Sequence, residues 1–556
     1  MTNLSAAEDA GASISVRTAL VIIAALVAVR LIGIMLTPLN LGPDEAQYWR
    51  WGQSFEWGYW SKPPLIGWVI GATTSLFGDA EWAVRFAAPL THGFGAVMIL
   101  LLGRAMFGAR VGVAASLVYL LMPGVTLSSA IISTDGLLLP VWAAGLFMLW
   151  RLRTGDGGWL SALGLGAAIG VGFLAKYAMI YFLIGLGLVF LTDGPTRRAL
   201  LSLKGMLALA VAAAIFAPHL AWNAANSFKT VSHTADNANW GAELLNPENA
   251  VKFLGDQMAV FGPVTYLALL AGFFAFARGP QAWWKADKER FLLAFILPPL
   301  LIILLQAVIS RAHANWAATA YPAASVLVTA WLFRAKGSAW VWPVLAATIG
   351  LAALGIPGLG IGFRLVFGLV LAGLVLATGF GFRFRVSGLL WAAIAIHAFA
   401  GALFFTAAVA PPSVTEKLGL ANAFKRTRGW EETTAVLAAR ASELNATAVV
   451  VDERENWHGL DYYGRDGFPV PIRTWRVEDG AKSYAEEFVL TGEDDGRALI
   501  ASVRPGYRER MRADFGSFEP AGEVSIDLGG GKRRQFELFI ASDYEPVPRG
   551  ETGEEG

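Results

Sequence analysis

The sequence predicts an α-helical bundle that crosses a membrane about thirteen times, followed by a small soluble α/β domain. Three observations point to it. Of 556 residues, 55% are hydrophobic and only 16% are charged, whereas soluble domains carry about 25% charged residues. The apolar residues gather in repeated long runs, and a bilayer span needs ~20 of them. From about residue 411 onward the chain turns polar and mixed in charge, with ordinary soluble patterning.

The runs lie at roughly 18–37, 88–107, 111–131, 136–151, 158–175, 178–192, 199–217, 262–277, 291–309, 315–333, 339–356, 363–380 and 387–410. Gly and Ala crowd them, as in "LGLGAAIGVG" (163–172), and small residues let helices approach closely in lipid. The first run is longer than the apolar core of a cleaved signal, and no small-residue cleavage pattern follows it, so it reads as a span. Lys and Arg set the orientation. With the N-terminus inside, the inner loops hold Arg104, Arg110, Arg151, Arg153, Arg197, Arg198, Arg278, Lys285, Lys288, Arg290, Arg334, Lys336, Arg383 and Arg385. Alternate loops are poorer in basic residues. Residues 1–410 then form the membrane domain, and an odd number of spans leaves 411–556 outside.

In that tail, "WEETTAVLAARASEL" (430–444) has helical period, while "ATAVVVDE" (446–453), "ALIASV" (498–503) and "RRQFELFIAS" (533–542) read as strands. "GGGKRR" (529–534) lacks phosphate-loop spacing and precedes a strand, so it reads as a hairpin turn.

The chain has no cysteine and a formal net charge of +1. Disulfides, thiolate catalysis and cysteine metal sites are excluded, and net charge points to no partner; nucleic acid is not expected. Charge is instead sorted by position. The outer loops carry Asp44, Glu45, Lys62 and Arg85 in the first, Asp135 in the second and Lys176 in the third. The fourth carries His219, Asn223, His233, Asn239 and Trp240, and the fifth Arg311, His313, Asn315 and Trp316. A charge at membrane depth costs ~2.5–3.5 kcal/mol or more unless paired or wetted. Asp135 and Lys176 sit in very short loops and are expected to face a wet cavity on the outer side.

Plainer readings stand beside these. Asp44 and Glu45 fall in the first turn of a helix, where acids favour the dipole. Trp49, Trp51, Trp57 and Trp60 suit a headgroup belt. Lys62 before Pro63 and Pro64 suits a snorkelling lysine. Arg85 and Lys176 each suit a displaced positive-inside charge, His313 an ordinary loop histidine, and Arg30, inside the first run, a structural ion pair. None of these explains the constellation. Carboxylates deprotonate an acceptor hydroxyl or amine, Lys and Arg stabilise a departing phosphate, and aromatic faces suit a sugar ring. Together they form the kit for moving a group off a phosphate, and the spans give a lipid tail somewhere to sit. Transporters also carry intramembrane charge, but no repeat relates the two halves, and the charges gather on one side.

"PDEAQYW" (43–49), "SKPPLIGW" (61–68), "LFGDAEWAVRFAA" (76–88), "STDGLLL" (133–139) and "FLAKYAM" (173–179), in this order and spacing, resemble the GT-C class of lipid-linked-sugar glycosyltransferases. The resemblance is to the bacterial branch of the aminoarabinose and galacturonosyl lipid A transferases, relatives of the protein O-mannosyltransferases. It continues more weakly through "PHLAWNAANSF" and "HANWAATAYPA" to about 325. It implies a GT-C fold in a bacterial inner membrane, a polyprenyl-phosphate sugar donor, and catalysis on the periplasmic face. It implies an envelope acceptor, lipid A or another glycolipid or glycan; the alternatives are a protein acceptor, or a lipid or sugar transporter or flippase. It implies catalytic roles for Asp44 and Asp135, and donor-phosphate roles for Lys62, Arg85 and Lys176. Glu45, Tyr48, His219, Asn223, His313 and Asn315 are candidate substrate contacts. Direct displacement would invert the anomeric centre. No cofactor is required, although two acids near a phosphate suit Mg²⁺ or Mn²⁺. Ser61 stands where the lipid A branch often has glutamate, and Tyr177 where it often has glycine.

Overall fold

The computed structural model describes residues 15–236, 245–277 and 286–549, apart from 336, 338, 357–359, 492, 493 and 495. Asn239, Trp240, Arg278, Lys285 and Lys336 lie outside these residues. The chain is a helical membrane bundle with a sheet-containing domain at its C-terminal end. Among the described residues nine helices have the length and composition to cross a bilayer, or ten when the bent pair Tyr177–Thr192 and Gly194–Leu200 counts as one span. Thirteen were expected. Three of the expected runs fall on shorter apolar helices, Ala109–Leu121 (13 residues), Pro263–Ala277 (15 residues) and Val341–Leu354 (14 residues). The first is cut short at Met122, whose extended backbone is the conformation favoured before a proline, here Pro123.

The bundle has two chemically different ends. Helix Thr134–Thr154 carries Asp135 in its first turn and Arg151 and Arg153 in its last; at ~1.5 Å per residue these lie about 27 Å apart. Around Arg153 gather the inner-loop charges. Arg153 pairs with Asp193 at 2.8 Å, Arg334 with Glu289 at 2.7 Å, and Arg110 lies 4.3 Å from the centre of the Phe333 ring. The polar residues of the loops that the charge pattern assigns to the outer side collect at the other end. Arg30 makes no ion pair among the described residues. It donates to the Leu120 carbonyl at 2.6 Å and to the hydroxyls of Ser129 and Thr126, tying the first helix to the segment after Ala109–Leu121.

The C-terminal domain has one sheet, built from β1 (Ala448–Val451), β2 (Ile472–Thr474), β3 (Ala498–Ser502), β4 (Phe515–Gly529) and β5 (Lys532–Tyr544). Its order is β2-β1-β3-β5-β4, with β1 parallel to β2 and β3, and β5 antiparallel to β3 and β4. Fully buried β1 and β3 are short apolar runs, as central parallel strands are. Gly530 and Gly531, both at positive φ, make the tight turn from β4 to β5, a conformation that suits glycine. Helix Trp430–Glu443 packs on one face through Leu437 and Ala441.

This domain is clamped onto the first outer segment through helix Arg454–Tyr463. The Tyr463 hydroxyl accepts from Leu41 N–H at 2.6 Å and lies 3.1 Å from Glu81. Tyr462 donates to the Asp79 carbonyl, and its ring meets the edge of Trp49 at 4.9 Å. Asn40 accepts from Trp430 N–H at 3.0 Å. Trp49 and Trp51 are therefore not in a headgroup belt. They are 4% and 1% exposed, because the tail domain and the stacked Tyr59 ring cover them. Trp57 stays exposed, grouped with Phe55 and Trp68.

Candidate active site

Helix Pro43–Gly52 begins at Gly42 with proline in its first turn and both acids following, the start signals expected for a helix. The two acids then part company. Glu45 turns inward: its carboxylate accepts Gly42 N–H at 2.9 Å, Ile132 N–H at 3.1 Å, and two N–H groups of Arg85 at 2.8 and 2.7 Å. Arg85 also donates to the carbonyls of Leu39 and Asn40. The pair is buried, Glu45 at 4% and Arg85 at 2% exposure. Arg85 was expected to hold a phosphate, and Glu45 to touch substrate. The structure instead places both inside the fold, where they staple the first outer segment to helix Glu81–Arg85 and to the segment before Thr134.

Asp44 turns outward. It shares a helix face with Gln47 and Tyr48, three and four residues on, and one carboxylate oxygen lies 3.3 Å from Arg454 of the C-terminal domain. Tyr48 is buried, and burial and then the Asp44 carboxylate push its hydroxyl pKa up, so it stays a protonated donor.

Asp135 occupies the first turn of helix Thr134–Thr154, where Ser133 caps Gly136 N–H. Both its oxygens are engaged, one by the Lys176 ammonium at 2.7 Å and the other by the Asn315 amide at 2.7 Å. Three segments far apart in sequence thus meet at one carboxylate. His313 lies beside them with its ring edge-on to Trp316 at 5.1 Å. Desolvation and the charges of Arg311, Lys252 and Lys176 push its imidazole pKa down, favouring the neutral ring.

Lys62 is half-buried between Ser61 and the Pro63–Pro64 pair that starts helix Leu65–Phe77. Tyr59 N–H donates to its carbonyl at 3.1 Å, closing a tight turn. The Tyr59 ring needs Gly67, because a Cβ there would come within 2.6 Å of it. Among the described residues the Lys62 ammonium has no hydrogen-bond or ion-pair partner. It feels the charges of Lys176, Asp44, Arg454 and Asp135, and burial and then Lys176 push its pKa down to about 8. An amine held this way gains from any anion brought to it.

His219 and Asn223 are fully buried. The Tyr177 hydroxyl lies 2.7 Å from His219 Nε2, and His219 Nδ1 lies 2.6 Å from the Trp57 carbonyl. His219 thereby fixes the first outer loop against helix Leu203–Ala225, and Tyr177, at a position where the resembled family often has glycine, supplies the hydroxyl for that bond. Asn223 hydrogen-bonds within the same group. The structure thus gathers Asp44, Tyr48, Lys62, Asp135, Lys176, His313 and Asn315 at one end of the bundle, and sets Glu45, Arg85, His219 and Asn223 into its supports. Arg454 joins the first group without having been anticipated. Its only sequence signal is its place at the start of the helix in "DERENW", which is ordinary for a soluble domain. Among the described residues no group of three or more His, Asp or Glu side chains forms a metal site.

A many-span bundle with carboxylates and amines gathered at one end beneath a small soluble domain is the frame of a membrane-embedded enzyme. Residues 61–222 match the family described as dolichyl-phosphate-mannose-protein mannosyltransferase. The lipid A galacturonosyltransferase RgtD of Rhizobium johnstonii is 30% identical over 493 residues, covering 87% of this chain and 91% of that one. An undecaprenyl phosphate-alpha-4-amino-4-deoxy-L-arabinose arabinosyl transferase of Pseudomonas fluorescens is 27% identical over 283 residues, 46% of this chain and 50% of that one. The crystal structure of ArnT from Cupriavidus metallidurans bound to undecaprenyl phosphate has the same fold, with a TM-score of 0.64 over 93% of this chain and 97% of that one, at 19% identity. The chain belongs to the GT-C family of membrane glycosyltransferases, in the branch that holds the lipid A galacturonosyl and aminoarabinosyl transferases.

Proposed function

We propose that the protein transfers a sugar from a polyprenyl-phosphate donor to a lipid A-type glycolipid on the periplasmic face of a bacterial inner membrane. The observation that carries this reading is Lys62: a half-buried amine, unpaired among the described residues, set among Asp44, Asp135, Lys176 and Arg454. The relatives named above support a lipid-borne donor and a lipid A acceptor, and a galacturonosyl donor is the first to try. In the proposed reaction Asp44 takes the proton of an acceptor hydroxyl. The freed oxygen pair attacks the anomeric carbon, the bond from that carbon to the phosphate oxygen breaks, and polyprenyl phosphate leaves with the electron pair. The anomeric centre inverts. Asp44 is the base in this reading because Asp135 already has both oxygens tied, to Lys176 and Asn315. Lys62 and Lys176 supply positive charge to the leaving phosphate, so the reading requires no metal.

The test uses the purified full chain with a labelled polyprenyl-phosphate-linked uronic acid and lipid A, with and without a chelator. Label on lipid A in both arms supports the reading. Label only on protein would make the acceptor a polypeptide, and activity lost to the chelator and restored by Mg²⁺ or Mn²⁺ would place a metal in the reaction. The orientation is tested separately. Alkaline phosphatase fused after residue 412 is expected to be active and a fusion near Arg197 inactive; the reverse pattern would move the site to the cytoplasm.

Lys62→Ala is expected to weaken undecaprenyl phosphate binding. A charge-assisted contact contributes roughly 1.5–3 kcal/mol, or about 10- to 150-fold in affinity. Because its pKa lies near 8, the amine is charged below that pH and neutral above it. Wild-type affinity should therefore hold at lower pH and fall as pH rises through about 8. Lys62→Arg, charged throughout, should flatten the profile and recover part of the affinity. Titration of the purified variants at several pH values checks both.

A further inference from the structure

The C-terminal domain does more than sit beside the membrane bundle: it delivers a guanidinium into the group of charges around Lys62. Arg454 is the first residue of helix Arg454–Tyr463 and donates to Asp44 at 3.3 Å and to Gln47 at 3.2 Å. It also bears electrostatically on Lys62 and Tyr48. Docking of the domain does not depend on it. Tyr462 and Tyr463 hold the far end of the same helix, and Asp461 faces Arg50 at 3.7 Å. The Arg454–Asp44 contact is long, and the two side chains are 44% and 56% exposed. Exposed ion pairs of this kind contribute little to stability, so this one is easily exchanged. The balance of charge also invites exchange. Among the described residues Asp135 is paired with Lys176 and Asp44 with Arg454, while the Lys62 ammonium has no ion-pair partner. An anionic phosphodiester would give it one.

We propose that Arg454 is a substrate-binding residue of the active site, which leaves Asp44 for the donor phosphate beside Lys62 and so frees the Asp44 carboxylate for the acceptor. This rests on the donor reading given above. A planar fork of N–H donors suits phosphate oxygens, while a carboxylate held by a guanidinium is a poorer base. The domain would thereby couple donor occupancy to the readiness of the base.

Undecaprenyl phosphate binding to the purified full chain, without acceptor, tests this together with steady-state transfer. Arg454→Ala is expected to weaken undecaprenyl phosphate binding about tenfold or more and to raise the donor KM, with kcat within a few-fold. Arg454→Lys should recover part of the affinity, and Arg454→Gln serves if the alanine variant fails to fold. Asp461→Asn, which alters another ion pair of the same helix, should leave binding unchanged. Asp44→Asn should tighten undecaprenyl phosphate binding about two- to fivefold, and only while Arg454 is present. The inference is overturned if Arg454→Ala and Arg454→Gln bind like wild type, or if Asp461→Asn weakens binding as much as they do. It is also overturned if Arg454→Ala affects only the uronosyl donor and not the bare lipid phosphate, since Arg454 would then contact the sugar carboxylate. Failure of the wild-type protein to bind undecaprenyl phosphate would instead sink the donor reading itself.

Discussion

Asp44→Asn is expected to abolish most transfer while leaving a folded protein that still binds donor. A general base contributes typically 10²–10⁴-fold, and Asn matches Asp in shape but cannot accept the acceptor's proton. Asp44 is exposed and bonded only to Arg454 among the described residues, at one oxygen, so the substitution removes basicity without opening a buried hole. The loss should appear in kcat. Asp135→Asn should behave differently. It breaks the 2.7 Å ion pair to Lys176 and one of two bonds that orient the site, so both kcat and the donor KM should change. Near-normal kcat in purified Asp44→Asn would remove Asp44 as the base. A change in kcat alone for Asp135→Asn would make that residue the better candidate.

Arg85→Met is expected to destabilise the protein by about 3–5 kcal/mol, the cost of leaving a buried partner charge uncompensated. Among the described residues Glu45 would keep only the Gly42 and Ile132 amides, and the carbonyls of Leu39 and Asn40 would lose the Arg85 donor. Thermal unfolding in detergent and the yield of monodisperse protein measure this. The double variant Glu45→Gln with Arg85→Met should be less damaged than Arg85→Met alone, because the stranded charge is gone. Donor affinity in whatever folded Arg85→Met survives should stay within a few-fold of wild type. A stable Arg85→Met protein with weak donor binding would return Arg85 to the phosphate, the role suggested by its position in the sequence.

Local chemistry carried much of the architecture. Long apolar runs, basic residues at alternate loops and the polar tail mark the bundle, its two ends and the sheet-containing domain, because hydropathy is a property each segment has by itself. The same holds for the helix start at Pro43 and the Gly530–Gly531 turn. That Asp135 needs a partner was legible for a related reason: charges in loops that short have few alternatives to facing one another or water, and the partner is Lys176. Packing alone decided the rest. Nothing near Arg85 in sequence says that its partner is Glu45, 40 residues earlier, and Trp49 and Trp51 look like headgroup residues until the tail domain covers them. The neighbour of Asp44 lies 410 positions away. Whether a charge is a support or a reagent depends on which opposite charge the fold brings to it and on how much water remains around both, and those are properties of pairs of segments that no single segment contains.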